Sequence, residues 1–173
     1  MLAKKHVVPR RLTAIEDLGS IDVLCTDKTG TITENKLAVS GLYGDGKEAL
    51  RLALMVPLSA VGTTSVQNGV FDVALIEHAE TAVKDGLREI SRIDELPFDP
   101  VRKKASALIK TPEGNILVMR GSPEVVYKSA ETAIDNETER WIESEGAKGC
   151  RVIAIASAKK EDWITRVNDE TER

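Results

Sequence analysis

The sequence predicts an α+β domain, an antiparallel sheet flanked by helices, preceded by a partial α/β stub. Three observations predict it. First, the apolar run Ile21 to Cys25 stops at Thr26-Asp27-Lys28-Thr29-Gly30. That is the pattern of a buried strand delivering a carboxylate to its carboxyl end, where open α/β sheets place their chemistry. Second, strand-like runs at 90–96, 105–110 and 116–120 follow one another with only short breaks. Strands connected in sequence point to an antiparallel arrangement. Third, helical patterns stand before and after that group, with one more strand-like run at 151–156.

The bulk numbers agree with a globular piece of chain. The 173 residues are 42% hydrophobic and 30% charged, which is ordinary globular composition and leaves room for one domain plus a fragment of another. Lys+Arg 24 against Asp+Glu 28 gives a formal charge of -4, so no general attraction to nucleic acid is expected. Cys25 and Cys150 lie far apart in apolar runs and read as buried thiols of a reducing compartment. No run approaches the roughly 18 apolar residues of a membrane span, and no signal peptide is present. The chain therefore reads as soluble.

Taken in order, Leu12 to Leu18 suits a short helix, with Thr13 as cap, Glu16 as reciprocal partner and Gly19 as stop. The strand Ile21 to Cys25 and the Asp27 loop follow, and Ile32 to Val39 crosses into a second unit. Tyr43 to Gly46 is a turn. Lys47 to Val61 favours a helix that Pro57 kinks or ends. Gly62 to Gly69 is a loop. Asp72 stands where an N-cap would, and Leu75, Ile76, Ala79, Ala82 and Val83 recur at helical spacing to a close near Gly86. The strand Ile90 to Leu96 leads to Pro97-Phe98-Asp99-Pro100. A hairpin follows, with a loop of about five residues around Pro112 and Gly114. Ser122 as cap, Pro123 at the first position and Glu124 in the first turn begin another helix. Asn136 to Gly146 is a surface helix with Trp141 and Ile142 inward, and Gly149 precedes the last strand. Residues 159–173 are a charged tail with Trp163 as its anchor.

Two constellations carry chemistry. Asp27 after a strand suits a covalent phosphoryl acceptor, because enzymes use Asp as a nucleophile in aspartyl-phosphates. Lys28, Thr29 and backbone N–H groups would answer the accumulating charge. Downstream, Phe98 is one of only two phenylalanines and stands just before Arg102, Lys103 and Lys104. An aromatic plate beside cations suits a nucleotide. Each element also has a plain structural reading: a polar turn, a core aromatic, a solvated charge run. Lys104 and Lys110 are assigned to the last of these. No Walker loop, dinucleotide fingerprint or zinc pattern is present.

The string VLCTDKTGTITENK resembles the phosphorylation loop of P-type cation-transporting ATPases, in particular the branch that pumps protons or magnesium, whose preceding segment is similar to Arg11 to Gly19. The resemblance implies that Asp27 accepts the γ-phosphate of ATP. It also implies that Thr29 gives its hydroxyl to the phosphate and, with Asp27, helps hold Mg2+. PFDPVRKKAS resembles the stretch in which Phe98 would stack on adenine and Lys103 approach the nucleotide. Arg120-Gly121-Ser122-Pro123-Glu124 resembles a Lys-Gly-Ala-Pro-Glu motif whose cation lies deep in the adenine pocket. Here it is Arg, a planar fork rather than a compact ammonium. Asp72 would match an acidic position on the adenine side, and Arg151 an arginine approaching the β-phosphate.

The resemblance covers about Arg10 to Ala158. It implies an amino-terminal part of a haloacid-dehalogenase-like phosphorylation domain (1–37), a nucleotide-binding domain (38–158) and a tail or hinge (159–173). Its partners would be adenine nucleotide and the remainder of a pump's phosphorylation and membrane domains, which would place it at the cytoplasmic face of a membrane. By itself the chain is expected to bind ATP weakly without turnover, and to self-associate through its stub. Two alternatives stand beside this. A small haloacid-dehalogenase-type phosphatase would want a second Asp where Thr29 stands. A regulatory module would pair with a separate polypeptide through the edge of the Ile21 to Cys25 strand.

Overall fold

In the computed structural model, which describes residues 8, 11, 13, 17, 19–28, 30–56, 69–80 and 90–172, Pro112 and Glu113 turn the chain so tightly that Thr111 pairs directly with Gly114. Gly114 makes this possible at φ +115°, a backbone region that glycine enters without penalty. The Thr111 hydroxyl donates to the Gly114 carbonyl at 2.7 Å. The longer loop expected here is therefore replaced by a two-residue one. β1 (Ser91–Asp99), β2 (Lys104–Thr111) and β3 (Gly114–Gly121) run antiparallel in sequence order, and β4 (Ala154–Lys160) completes a sheet of order β1-β2-β3-β4.

β4 corrects the strand expected at Arg151 to Ala156. Asn115 pairs with Lys160 and Gly121 with Ala154, so the ladder of β3 draws in the Lys159-Lys160 end. Cys150 to Ile153 stay irregular. The pairing register, set along the whole of β3, overrides local apolarity.

One helix, with a second packed on it, covers one face of the sheet. α1 (Gly46–Met55) is capped by Asp45, whose carboxylate accepts from the Glu48 N–H at 3.2 Å. It ends before Pro57 because a residue preceding proline is driven out of the helical region, and Val56 is extended at ψ 145°. Leu52 and Met55 of α1, with Val56, pack on Ala105, Ala107 and Ile109 of β2 and Val118 of β3. α2 (Val70–His78) joins α1 through Leu50, Leu54 and Ala79. It is capped by Gly69, not by Asp72, which lies in its first turn and is buried. It also ends earlier than expected, with Ala79 extended at ψ 136°. Ala82, Val83 and Gly86 lie outside the described residues, as do the loop at 62–68 and most of the helix expected at Leu12 to Leu18.

α3 (Pro123–Ser129) starts as its Ser-Pro-Glu predicts. α4 (Asn136–Ala147) is capped by Asp135, which accepts from the Glu137 and Thr138 N–H groups at 2.9 and 2.8 Å. Its Trp141 stacks on Tyr43, with ring centroids 4.7 Å apart.

The second face of the sheet is covered by the segment 161–172. Val167 is buried with Leu108 and Leu117, and Ile93, Leu96 and Ile164 pack around them. The Val167 N–H donates to the Asp94 carboxylate at 2.7 Å. Trp163, expected as the anchor, is 78% exposed. The small β-branched Val fits a flat apolar seat, and burying such a side chain contributes about 1.5–3 kcal/mol.

Residues 1–35 form a unit separate from 36–173. In the first unit the strand expected at Ile21 to Cys25 does not form: these residues carry no strand pairing and all are exposed. A strand needs a neighbour to take its N–H and C=O groups, and none is present among the described residues of this unit. Cys25, expected buried, is exposed, and Cys150 is half-buried. No helix among the described residues is long and apolar enough to cross a membrane.

Candidate functional site

Two of the residues singled out from separate stretches meet inside the second unit. The Arg120 guanidinium on β3 donates to a carboxylate oxygen of Asp72 on α2, and its other terminal nitrogen donates to the Ala53 carbonyl at 3.2 Å. Both side chains are nearly buried, at 10% and 9% exposure. Register explains the position: Arg120 pairs with Ala105, which places it on the face covered by α1. Arg120 thus ties the end of α1 and the start of α2 to the sheet.

Phe98, Lys103 and Gly121 gather at one end of the sheet. Phe98 lies in an irregular stretch of β1 between Leu96 and Asp99, and its side chain is 62% exposed. The connection to β2 is tightly organised by Asp99. Its carboxylate accepts from the Val101 and Arg102 N–H groups, both at 2.8 Å, and its carbonyl accepts from the Lys103 N–H at 2.7 Å. Lys103 sits at φ +53°, a conformation uncommon for a side-chain-bearing residue. Its carbonyl accepts from the Ser122 N–H at 3.0 Å. Its ammonium is exposed, 3.7 Å from the Glu124 carboxylate, and so exposed a pair contributes little. Gly121 is where the backbones crowd: a Cβ there would lie 2.4 Å from the Lys103 carbonyl oxygen.

Lys104, expected on a solvated face, is buried and ion-paired to Glu172 at 2.7 Å. Its ammonium also donates to the Ser129 hydroxyl at 2.9 Å. Arg102 pairs with the same carboxylate, and the Ser106 hydroxyl donates to it at 2.5 Å. Burial pushes the Glu172 carboxyl up, but Lys104, Ser106 and Arg102 together outweigh that and hold it below the usual glutamate range. Short-range patterns missed Glu172 because its partners are 66 to 70 residues away. The signal available was a charged segment carrying the apolar pair Ile164 and Val167.

The remaining candidates stand apart. Arg151 is exposed in the irregular stretch before β4, and no contact among the described residues joins it to the others. Asp27 and Lys28 are exposed in the first unit. The Lys28 carbonyl accepts from the Ile32 and Thr33 N–H groups, each at 3.0 Å, and Gly30 turns at φ +77°. Thr29 lies outside the described residues. A concavity of about 490 Å³ between Glu113–Asn115 and Lys159–Trp163 lies at the other end of the sheet and holds none of these residues.

The groups implied by the resemblance fit unequally. Mg2+ needs several oxygen ligands in near-octahedral array. Asp27 offers one exposed carboxylate, and the described residues hold no group of three or more His, Cys, Asp or Glu. They do not by themselves fit the ion. An adenine nucleotide fits better, since Phe98 offers an open ring and Lys103 an open ammonium at the same end of the sheet.

Known proteins resemble this chain over most of its length. The family model for P-type ATPase, cytoplasmic domain N, matches residues 56–171. The chain is 32% identical to Plasma membrane ATPase 2 of Saccharomyces cerevisiae, over 92% of its own length and 18% of that protein. It is also 32% identical to Plasma membrane ATPase 1 of Candida albicans, covering 92% of the chain and 19% of the relative. It is 29% identical to the Magnesium-transporting ATPase, P-type 1, of Salmonella typhimurium, covering 99% of the chain and 21% of the relative. The chain thus spans about a fifth of the length of these relatives.

Proposed function

Because the chain belongs to the P-type ATPases, as their cytoplasmic domain N, we propose that residues 38–158, held by the segment after them, bind ATP for a cation pump whose phosphoryl acceptor is Asp27. The observation that carries this reading is the exposed Phe98 ring and the exposed Lys103 ammonium at the same end of the sheet, around a connection fixed by Asp99. Phe98 stacks on adenine. Lys103 meets the polyphosphate as a point charge. Arg120 and Asp72, bonded to each other, form the pocket floor. Asp72 keeps one carboxylate oxygen that Arg120 does not engage, an acceptor for the adenine amino group. Gly121 backs the Lys103 carbonyl closely, and Arg151 approaches the β-phosphate.

The exposed Ile21, Val23 and Leu24 suit a missing sheet neighbour, and we assign that neighbour to the rest of a haloacid-dehalogenase-like phosphorylation domain. A second copy of this chain would offer a poorer substitute. We assign the parent protein to the proton- or magnesium-transporting branch of membrane pumps, a reading supported by the match to the Magnesium-transporting ATPase, P-type 1, over nearly the whole chain.

The test is a titration of ATP followed by amide shifts and calorimetry, with and without magnesium. Weak binding is expected in both, with shifts around Phe98 and Lys103. Phe98→Ala should weaken it by about 1–3 kcal/mol, the measured worth of stacking a base on an aromatic ring. Lys110→Ala, at an exposed end of β2, should change it little. Equal losses would remove adenine from Phe98.

Asp27 is not expected to turn over in this chain alone. Phosphoryl transfer is almost entirely positioning and charge compensation, and both Asp27 and Lys28 are exposed to screening water. Incubation with γ-labelled ATP and magnesium, then an acid quench, should leave no label on the protein. Hydroxylamine-sensitive label that disappears in Asp27→Asn would overturn this expectation.

A further inference from the structure

Residues 102–104 are three successive cations with very different surroundings: side-chain exposure is 25% for Arg102, 59% for Lys103 and 11% for Lys104. One carboxylate accounts for the difference. Glu172, at 1% side-chain exposure, takes Arg102 and the Ser106 hydroxyl on Oε1 and Lys104 on Oε2. A buried carboxylate loses hydration that only a well-made set of partners offsets, and here two cations and a hydroxyl supply it.

We propose that Glu172 is a positioning residue for the nucleotide site: by gripping Arg102 and Lys104 together it locks the β1–β2 connection in the conformation that presents Lys103. This rests on the reading of Phe98 and Lys103 as nucleotide contacts. Lys103 occupies the left-handed region, which persists in a non-glycine residue only where its surroundings over-determine it. Three restraints do so. Its N–H is held by the Asp99 carbonyl, its carbonyl by the Ser122 N–H, and the residues on either side by Glu172. Glu172 is itself held at its backbone, where its N–H donates to the Asn168 carbonyl at 3.1 Å. The segment 161–172 thus reaches across one face of the sheet and terminates its grip on the flanks of the proposed phosphate contact. Removing the grip frees two cations and lets Lys103 leave its rare conformation, so ATP would meet a disordered cationic loop.

The experiment uses the full 173-residue chain and two readouts on Glu172→Gln and Val167→Ala. Amide exchange is measured without ligand, and ATP binding by calorimetry. Glu172→Gln should speed exchange at Arg102 and Lys103 at least tenfold, leave Gly114 at the far end of the sheet unchanged, and weaken ATP at least fivefold. Val167→Ala loosens the same segment without touching a charge and should leave ATP affinity within twofold. If Glu172→Gln does not fold, Ser106→Ala, which removes one bond to the same oxygen, should give the same pattern in smaller measure. Wild-type exchange at Lys103 in the folded variants, or an equal loss of ATP affinity in Val167→Ala, overturns the proposal. Faster exchange with no ATP binding to the parent chain overturns the nucleotide reading and keeps the lock. Unchanged exchange with normal ATP binding does the reverse.

Discussion

Asp72→Ala should cost the second unit about 3–5 kcal/mol, the usual loss when one partner of a buried ion pair is removed. The size follows from what is left behind. Arg120 is always charged, is nearly buried, and would keep only the Ala53 carbonyl as a partner. Its guanidinium cannot neutralise itself by losing a proton, so it must drag water inward or push α1 and α2 apart. Domains of this kind are stable by only about 5–15 kcal/mol, so the loss would be a large part of the total. Urea unfolding checks this: the midpoint should fall with little change in slope. Replacing both partners, Asp72→Leu with Arg120→Met, should recover much of the loss, because a well-packed apolar pair carries no desolvation cost. A loss below about 1 kcal/mol for Asp72→Ala alone would mean that the pair is reached by solvent.

The features legible in the sequence were those decided within a few residues. Ser122, Pro123 and Glu124 start α3 as expected, Pro57 stops the helix before it, and the antiparallel order of β1, β2 and β3 follows from their short connections. What failed depended on partners far along the chain. Ile21 to Cys25 has the composition of a buried strand and, among the described residues, pairs with no neighbour that would bury it. Lys104 looks like one member of a charge run, yet its counter-charge lies at Glu172. Asp72 has the look of a helix cap because caps and ion pairs use the same carboxylate. Only the position of Arg120 on the α1 face of β3 decides between them. At the candidate site, Phe98, Lys103 and Gly121 were recognisable one by one from a family resemblance. The bond between Asp72 and Arg120, and the grip of Glu172, join residues 48 and 70 positions apart and leave no local trace.

Gly121→Val should destabilise the second unit by about 1–3 kcal/mol or somewhat more, the range for overpacking a close-packed interior, and should lower ATP affinity as well. A Cβ at this position would stand 2.4 Å from the Lys103 carbonyl oxygen, 2.7 Å from Lys104 Cβ and 2.8 Å from Lys104 Cα. Two of these neighbours are backbone atoms, so no side chain can swing aside to make room. The strain is relieved only by parting β2 from β3 where Lys104 pairs with Gly121, or by moving Lys103. Moving Lys103 breaks the bond from the Ser122 N–H that opens α3 and shifts the ammonium proposed to meet the phosphates. Stability and binding should therefore fall together here, whereas Phe98→Ala, at an exposed ring, should weaken ATP and leave unfolding nearly unchanged. Thermal unfolding and calorimetric titration of the two variants in parallel separate the cases. A Gly121→Val protein as stable as the parent would show that this end of the sheet yields more easily than its crowding implies. One that is destabilised but binds ATP normally would detach Lys103 from the nucleotide.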